Sequence, residues 1–266
     1  MEKKIAVIGG GNMGGALIKG FIESGEFKAG EITVSDKSAD VRGKFSAMGV
    51  NTSDNNAEAV KNAEIVLIGV KPYLVEVIAD EIKHSLTKDQ IVVSMAAEVT
   101  LEALHDVFGS KNVLCRVIPN IAAEYRMSMT FLSFDSAVSN GVSDKIIALF
   151  KTVGEVVVID EKLIDAAMSS ASCGTAFAIR YIRAAMEASI QMGLTAADSK
   201  LVVSQTVKGA TELLLNNKNS HPEEIIDKVT TPGGITIVGL NEMEHNGFSS
   251  AVIKGHLAAY KKAKGE

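Results

Sequence analysis

Short apolar runs alternate with amphipathic segments over the first 160 or so residues. Runs of this kind, bounded by glycine, asparagine or charge, are typical of buried strands, and the segments between them have helical spacing. Alternation of strands and helices predicts a parallel sheet covered on both faces. The predicted strands are residues 5–8, 32–34, 65–70, 91–94, 113–117, 130–133 and 156–159. No crossover motif separates the last two, so we expect them at the sheet edge, where an antiparallel strand is common.

The β pattern stops near Leu163. Residues 163–195 carry only four charges, and apolar residues lie on nearly every side of the long helix that they predict. Such a helix must be buried on all sides. It is buried either under neighbouring helices of its own chain or against a second copy. The second explanation is favoured, because about four further helices are too few to enclose it.

Composition excludes several classes of protein. No uncharged apolar run is long enough to predict a membrane span. The net charge of −5 argues against a partner that is nucleic acid or an anionic membrane. Two distant cysteines, Cys115 and Cys173, favour a reducing compartment and predict a cytoplasmic protein. The five histidines show no metal-ligand spacing, so no metal site is predicted.

A glycine-rich turn follows the first predicted strand and precedes an amphipathic helix. In Gly9-Gly10-Gly11-Asn12-Met13-Gly14, the first glycine of the fingerprint permits a tight turn. Gly11 lets the backbone approach a pyrophosphate, and Gly14 lets the helix pack on the strand. Free N–H groups at the helix start favour the anion. The pattern predicts dinucleotide binding.

The second strand leads into Ser35-Asp36-Lys37, where the nucleotide's ribose is expected. Asp36 suits the ribose hydroxyls of NAD(H). Ser35, Lys37 and Ser38 suit the 2′-phosphate of NADP(H), which Asp36 would repel unless its carboxylate turns away. Both signals are present, with a slight preference for NADP(H).

More specific strings follow in order along the chain. They are Asp54-Asn55-Asn56, Val70-Lys71-Pro72, Ser94-Met95-Ala96-Ala97, Arg116-Val117-Ile118-Pro119-Asn120, Gln205-Thr206-Val207-Lys208-Gly209-Ala210, His221-Pro222 and Val229-Thr230-Thr231-Pro232-Gly233-Gly234-Ile235-Thr236-Ile237-Val238-Gly239-Leu240. Together they resemble the pyrroline-5-carboxylate reductase family over essentially the whole chain.

The resemblance implies an α/β fold in which a Rossmann-like doubly wound sheet (1–161) is followed by an all-helical domain for dimerisation and substrate binding (162–266). It implies a homodimer through the C-terminal helices, often in a ring of dimers. The implied reaction is hydride transfer from NAD(P)H to the C=N bond of 1-pyrroline-5-carboxylate, a small imine acid, giving L-proline. The implied cofactor contacts beyond the nucleotide-binding turn are Asn56, Val70, Lys71, Pro72, Ala96, Ala97 and Asn120.

The Thr231–Thr236 string also has an interpretation of its own. Its glycines expose N–H groups and its threonines add hydroxyls, which predicts a nest for a carboxylate. The alternative is an ordinary helix start capped by Thr231, with Pro232 as the first helical residue. The resemblance favours the nest, with Thr231, Gly233, Gly234, Ile235 and Thr236 at the substrate. The Thr236 hydroxyl is the predicted catalytic group, binding the carboxylate or relaying a proton to the imine nitrogen.

The chain departs from the family pattern in three places. Arg126 and Ser128 replace two glycines after Pro119-Asn120, Ile235 replaces a common threonine, and Ala171-Ser172-Cys173-Gly174-Thr175 alters a serine- and glycine-rich helix start. Cys173 and Gly174 are still expected at the substrate. Arg126 either places a cation near the site or faces solvent. The departures leave three functions open: the family's reaction, reduction of a different cyclic imine or oxo acid, and nucleotide binding without catalysis.

Overall fold

The computed structural model describes residues 4–135 and 137–266. Met1, Glu2 and Lys3, which the sequence assigns to the 1–161 domain, lie outside the described residues, as does Ser136. Two compact units are present: the chain up to Ser172 together with Tyr260–Glu266, and Cys173–Ala259. The boundary between residues 161 and 162 stays a prediction.

The described residues form eight strands and twelve α-helices. The strands are β1 (Ile5–Ile8), β2 (Ile32–Ser35), β3 (Asn51–Ser53), β4 (Ile65–Ile68), β5 (Ile91–Ser94), β6 (Val113–Ile118), β7 (Ser128–Phe134) and β8 (Gly154–Val158). The helices are α1 (Asn12–Glu23), α2 (Ala39–Ser46), α3 (Asn56–Val60), α4 (Val75–Ile82), α5 (Leu101–Phe108), α6 (Asn140–Lys151), α7 (Ile164–Ala167), α8 (Gly174–Gln191), α9 (Ala196–Asn216), α10 (Pro222–Val229), α11 (Ile235–His245) and α12 (Phe248–Ala263). A π-helical turn, Met168–Cys173, separates α7 from α8.

All eight strands of the described chain belong to one sheet with the order β3-β2-β1-β4-β5-β6-β7-β8. Neighbours are parallel except β6 and β7, which are antiparallel. The predicted sheet is therefore confirmed, with β7 and β8 at its edge and antiparallel to the other strands. The expectation that no crossover separates these two strands is wrong, because they are parallel to each other and α6 connects them. The sequence did not predict β3, because its three residues are polar and mostly exposed. The order of the strands reverses between β1 and β4, which makes this the switch point of the sheet. In such sheets, ligands bind beyond the carboxyl ends of the strands at the switch point.

Two hydrophobic cores cover opposite faces of the sheet. Along β1, Ile5 and Val7 belong to one core, and Ala6 and Ile8 to the other. Side chains from α1, α2 and α6 complete the first core, and side chains from α3, α4 and α5 complete the second. Successive residues of a strand point to opposite faces, so a continuous apolar run serves both cores. Burial raises the pKa of the Cys115 thiol, which therefore stays neutral.

The second unit has almost no core of its own. In α8 only Ser189 is buried among the described residues, and in α9 only Ser199 and Val203. One side of α8 packs on α12, where the rings of Phe177 and His256 lie edge to face with their centroids 4.9 Å apart. Burial under its own chain, the first of the two explanations above, is therefore wrong for α8, whereas Ile164 and Ala167 at the start of the predicted segment are buried within the chain. The helix predicted over 163–195 is present from Ile164 to Gln191, and the π-helical turn changes its hydrogen bonding between α7 and α8.

Within the described residues, no helix has both the length and the apolar character needed to cross a membrane.

Candidate functional site

The glycine turn between β1 and α1 has three glycines with different structural roles. Gly9 has a φ of +97°, and its N–H donates to the Ser35 carbonyl at 2.8 Å. A Cβ on Gly14 would lie 2.0 Å from the Gly9 carbonyl oxygen. A Cβ on Gly11 would meet nothing within 4 Å. The fold itself thus requires glycine at positions 9 and 14, whereas position 11 is open toward solvent.

The start of α1 is available to an anion. Gly11 is the N-cap, no side chain caps it, and no acidic residue lies in the first turn. The first N–H groups of a helix, here from Asn12 to Gly14, have no partner within the helix. Gly11 and Asn12 are exposed and Met13 is half-buried. A pyrophosphate fits this open cradle, because backbone donors and the helix dipole both favour negative charge there.

Two further predicted cofactor segments leave the same edge of the sheet. The Gly69 N–H donates to the Ile8 carbonyl at 2.8 Å, and the Met95 N–H donates to the Ile68 carbonyl at 2.9 Å. The first bond sets the segment after β4 beside the glycine turn, and the second sets the segment after β5 beside the end of β4. Val70-Lys71-Pro72 therefore begins next to the glycine turn, and Ala96-Ala97 begins one strand further along the sheet. Lys71 is exposed, whereas Ala96 is buried.

Asp36 is turned back toward the glycine turn. Its Oδ2 accepts the Gly10 N–H at 2.9 Å, and its Oδ1 accepts the Ser38 N–H at 2.9 Å. Ser35 is buried and its hydroxyl has no hydrogen-bond partner. Its carbonyl, rather than its side chain, takes part in the turn. Lys37 and Ser38 are the exposed side chains here.

The sequence did not predict two residues that contact this part of the site, Arg42 and Glu81. The Arg42 guanidinium donates to the carbonyls of Asp36 at 2.7 Å and Lys37 at 3.0 Å, which fixes the turn after β2. The Glu81 carboxylate accepts from the Asn56 amide at 2.5 Å. Glu81 lies on α4, and only the folded chain brings it to Asn56. No spacing or motif in the sequence signals this contact.

Asn120 is buried and bonded within the chain. Its Oδ1 accepts the Ala122 N–H at 3.1 Å, and its Nδ2 donates to the Ala171 carbonyl at 3.4 Å. Its N–H donates to the Ser128 hydroxyl at 3.1 Å. Ser128, which departs from the family pattern, therefore has a structural partner. The predicted contact of Asn120 with a cofactor stays a prediction.

The predicted substrate loop lies in the second unit. Gly233 has a φ of +71°, and the Gly234 N–H donates to the Thr231 carbonyl at 2.9 Å. Gly234 is the N-cap of α11, without a side-chain cap, and Ile235 is its first residue. The alternative that Thr231 caps a helix beginning at Pro232 is therefore wrong.

The start of α11 presents the groups that a carboxylate needs. Its first N–H groups have no partner within the helix, and Thr236 in the first turn is exposed. Ile235 is 92% exposed, which is unusual for so large an apolar side chain. Cys173 and Gly174, at the start of α8, belong to the same unit and are half-buried. Their substrate contacts stay predictions.

Arg126, an expected departure from the family pattern, has a backbone conformation that favours glycine. Arg126 has φ +60° and ψ 33°, in the left-handed region. Its side chain is exposed, and its Nε donates to the Thr152 carbonyl at 3.4 Å. A Cβ in this region costs about 1 kcal/mol. Arg126→Gly is therefore expected to raise the free energy of unfolding by about 0.5–1 kcal/mol in urea titrations.

A helical position provides the control for this substitution. Glu102 is exposed in α5, so Glu102→Gly is expected to lower the free energy of unfolding by about 1 kcal/mol. A loss of stability in both variants would contradict the strain assigned to Arg126.

Among the described residues, no group of three or more His, Cys, Asp and Glu side chains is placed to hold a metal ion.

Comparison with known proteins covers both units. Residues 161–266 match the family model for pyrroline-5-carboxylate reductase dimerisation, and residues 4–98 match that for coenzyme F420-dependent NADP oxidoreductases. Pyrroline-5-carboxylate reductase 2 of Dictyostelium discoideum is 36% identical, over 98% of this chain and 92% of that protein. The Escherichia coli (strain K12) pyrroline-5-carboxylate reductase is 32% identical, over 99% of this chain and 98% of that protein. The crystal structure of the Plasmodium falciparum pyrroline carboxylate reductase with NADP bound is 26% identical, with a TM-score of 0.89, over 99% of this chain and 98% of that one.

Proposed function

Because the chain belongs to the pyrroline-5-carboxylate reductase family, we propose that it reduces 1-pyrroline-5-carboxylate to L-proline with NAD(P)H. The observation that carries this proposal is the full-length match to reductases of that name at 36% and 32% identity. The two candidate sites support it, since one fits a dinucleotide and the other fits a small carboxylate. When bound, the reduced nicotinamide supplies a hydride to the imine carbon, and the imine nitrogen takes a proton.

The first unit binds and orients the cofactor in this proposal. The turn Gly9–Gly14 holds the pyrophosphate, because its open helix start is framed by glycines that permit close approach. Residues 70–72 and 96–97, which start from neighbouring strands, lie along the bound dinucleotide. Lys71 contributes to the cofactor surface and is not needed as a proton donor if the imine arrives protonated.

The second unit holds the substrate carboxylate. Backbone N–H groups at the start of α11 and the Thr236 hydroxyl act as its donors. Alignment of the imine carbon with the cofactor is the main requirement, and positioning of reactants contributes up to roughly 7–11 kcal/mol in such reactions.

Turnover by the purified protein tests the function. We expect loss of NADPH or NADH absorbance when 1-pyrroline-5-carboxylate is added, with L-proline identified as the product. Absence of turnover with both cofactors would overturn the proposal. Faster turnover of another cyclic imine acid would instead indicate that the departures at Arg126, Cys173 and Ile235 have changed the substrate.

We further propose a slight preference for NADP(H). Both carboxylate oxygens of Asp36 already accept a backbone N–H, so this residue is less available to ribose hydroxyls. Lys37 and Ser38 are exposed beside it and suit a 2′-phosphate.

A cytoplasmic location also stays a proposal, supported by two free cysteines.

A homodimer through the C-terminal helices, able to assemble into rings, explains the exposed apolar surface of the second unit. Ile179 on α8 is 57% exposed, Leu201 on α9 is 70% exposed, and Ile253 on α12 is 58% exposed. Apolar surface on this scale marks an interface with another molecule. A family model for dimerisation matches this part of the chain, which favours a second copy as the partner.

Ile179→Glu is expected to convert the oligomer to a smaller species, because a carboxylate would be buried without a partner at the interface. The molar mass from size-exclusion chromatography with light scattering measures this. Val77→Glu, at a 51%-exposed position on α4, is the matched control and should leave the mass unchanged. An unchanged mass for Ile179→Glu would place the interface elsewhere.

A further inference from the structure

A small network of charged and polar groups lies beside the predicted ribose end of the cofactor site. Glu81 Oε2 accepts from the Asn56 amide at 2.5 Å, and Glu81 Oε1 is 3.9 Å from the Lys37 ammonium. The same ammonium lies 3.4 Å from the Asp54 carbonyl. Asn56 is buried, whereas the Lys37 side chain is 73% exposed. One carboxylate thus engages both a buried amide donor and an exposed cation.

Lys37 is one of the side chains proposed above for a 2′-phosphate, and Asn56 is a cofactor contact that the family resemblance implies. Lys37 directly follows Asp36 at the end of β2, where a Rossmann-like fold places the ribose. An ammonium and an amide N–H both bind phosphate oxygens. A dinucleotide with a 2′-phosphate therefore has to share these donors with Glu81, and its added charge is repelled by the carboxylate. A dinucleotide with a free 2′-hydroxyl meets neither obstacle.

We propose that Glu81 is a specificity-determining residue of the cofactor site, which reduces the advantage of NADP(H) over NAD(H) by occupying Lys37 and Asn56. The proposal rests on the dinucleotide binding proposed above. It accounts for why the preference for NADP(H) proposed above is slight although the site has an exposed lysine and an inward-turned aspartate. It also assigns a role to a residue that no motif of the sequence marks.

Direct binding of two nucleotides tests this role without turnover. Adenosine 2′,5′-bisphosphate and adenosine 5′-monophosphate differ only in the 2′-phosphate, and calorimetry of the full-length protein gives each dissociation constant. In Glu81→Gln, which keeps an oxygen for Asn56 but removes the charge, the bisphosphate is expected to bind about fivefold tighter. The monophosphate should change less than about twofold. Raising the salt concentration should shrink the gain, because the pair is partly exposed.

Two controls separate the possible causes. Glu155→Gln removes one exposed carboxylate from β8, which lies at the opposite edge of the sheet. This variant should change neither nucleotide's dissociation constant. Lys37→Gln should weaken the bisphosphate, and adding Glu81→Gln to it should give a smaller gain than in the wild type. An unchanged ratio of the two constants in Glu81→Gln, or a full gain without Lys37, would overturn the role of Glu81. Failure of both nucleotides to bind any variant would overturn the dinucleotide site as well.

Discussion

Replacing Gly11 with alanine is expected to leave the fold intact and to weaken NADPH binding about 100-fold. The chain itself tolerates the methyl group, since a Cβ at Gly11 meets nothing within 4 Å and the backbone has φ −65°. A bound pyrophosphate does not tolerate it, because the glycine lets backbone donors approach the phosphate closely. Two lost charge-assisted hydrogen bonds cost about 3 kcal/mol, which corresponds to roughly 100-fold in the dissociation constant.

Calorimetry with NADPH measures the loss, and urea titration checks the fold, whose stability should change by less than about 0.5 kcal/mol. Gly14→Ala is the contrasting variant. Its Cβ would lie 2.0 Å from the Gly9 carbonyl oxygen, so this variant is expected to lose about 3 kcal/mol or more of stability. Undiminished NADPH affinity in a folded Gly11→Ala protein would contradict the pyrophosphate assignment.

The sequence predicts the sheet well where strands are buried on both faces. Residues 5–8 and 91–94 form β1 and β5 with the predicted bounds, because a run that serves two cores is almost entirely apolar. β3 escapes this rule, since Asn51–Ser53 lies at the edge and has no buried residue. The π-helical turn also escapes it, because Met168–Cys173 continues a helical pattern and differs only in its hydrogen bonding.

The residues of the candidate sites also include some that the sequence predicts and some that it does not. Gly9, Gly11 and Gly14 are predictable because each is required by local backbone geometry or by an approaching phosphate. The inward turn of Asp36 depends on the Gly10 N–H from another strand end, and the contact of Glu81 with Asn56 depends on the packing of α3 and α4. Interactions of that kind appear only in the folded chain. In the proposal above they set the cofactor preference, for which the sequence alone gives conflicting signals.

Thr236→Ala is expected to lower kcat/KM for 1-pyrroline-5-carboxylate by about 10–100-fold while NADPH affinity changes little. A hydrogen bond to a charged carboxylate contributes about 1.5–3 kcal/mol, and this substitution removes its donor. Thr236 is exposed in the first turn of α11, so the variant should fold. Steady-state kinetics over a range of imine concentrations, with NADPH in excess, gives kcat and KM separately.

The way in which the loss divides between kcat and KM identifies the role of the hydroxyl. A group that only binds the carboxylate raises KM and leaves kcat unchanged, whereas a group that relays a proton lowers kcat. The unsubstituted imine 1-pyrroline has no carboxylate, so a purely binding role predicts equal turnover of it by the wild type and by Thr236→Ala. Thr236→Ser keeps the hydroxyl and should retain most of the activity. Full activity of Thr236→Ala on the imine acid would remove this residue from the site, and an equal loss in Thr236→Ser would assign the effect to the methyl group.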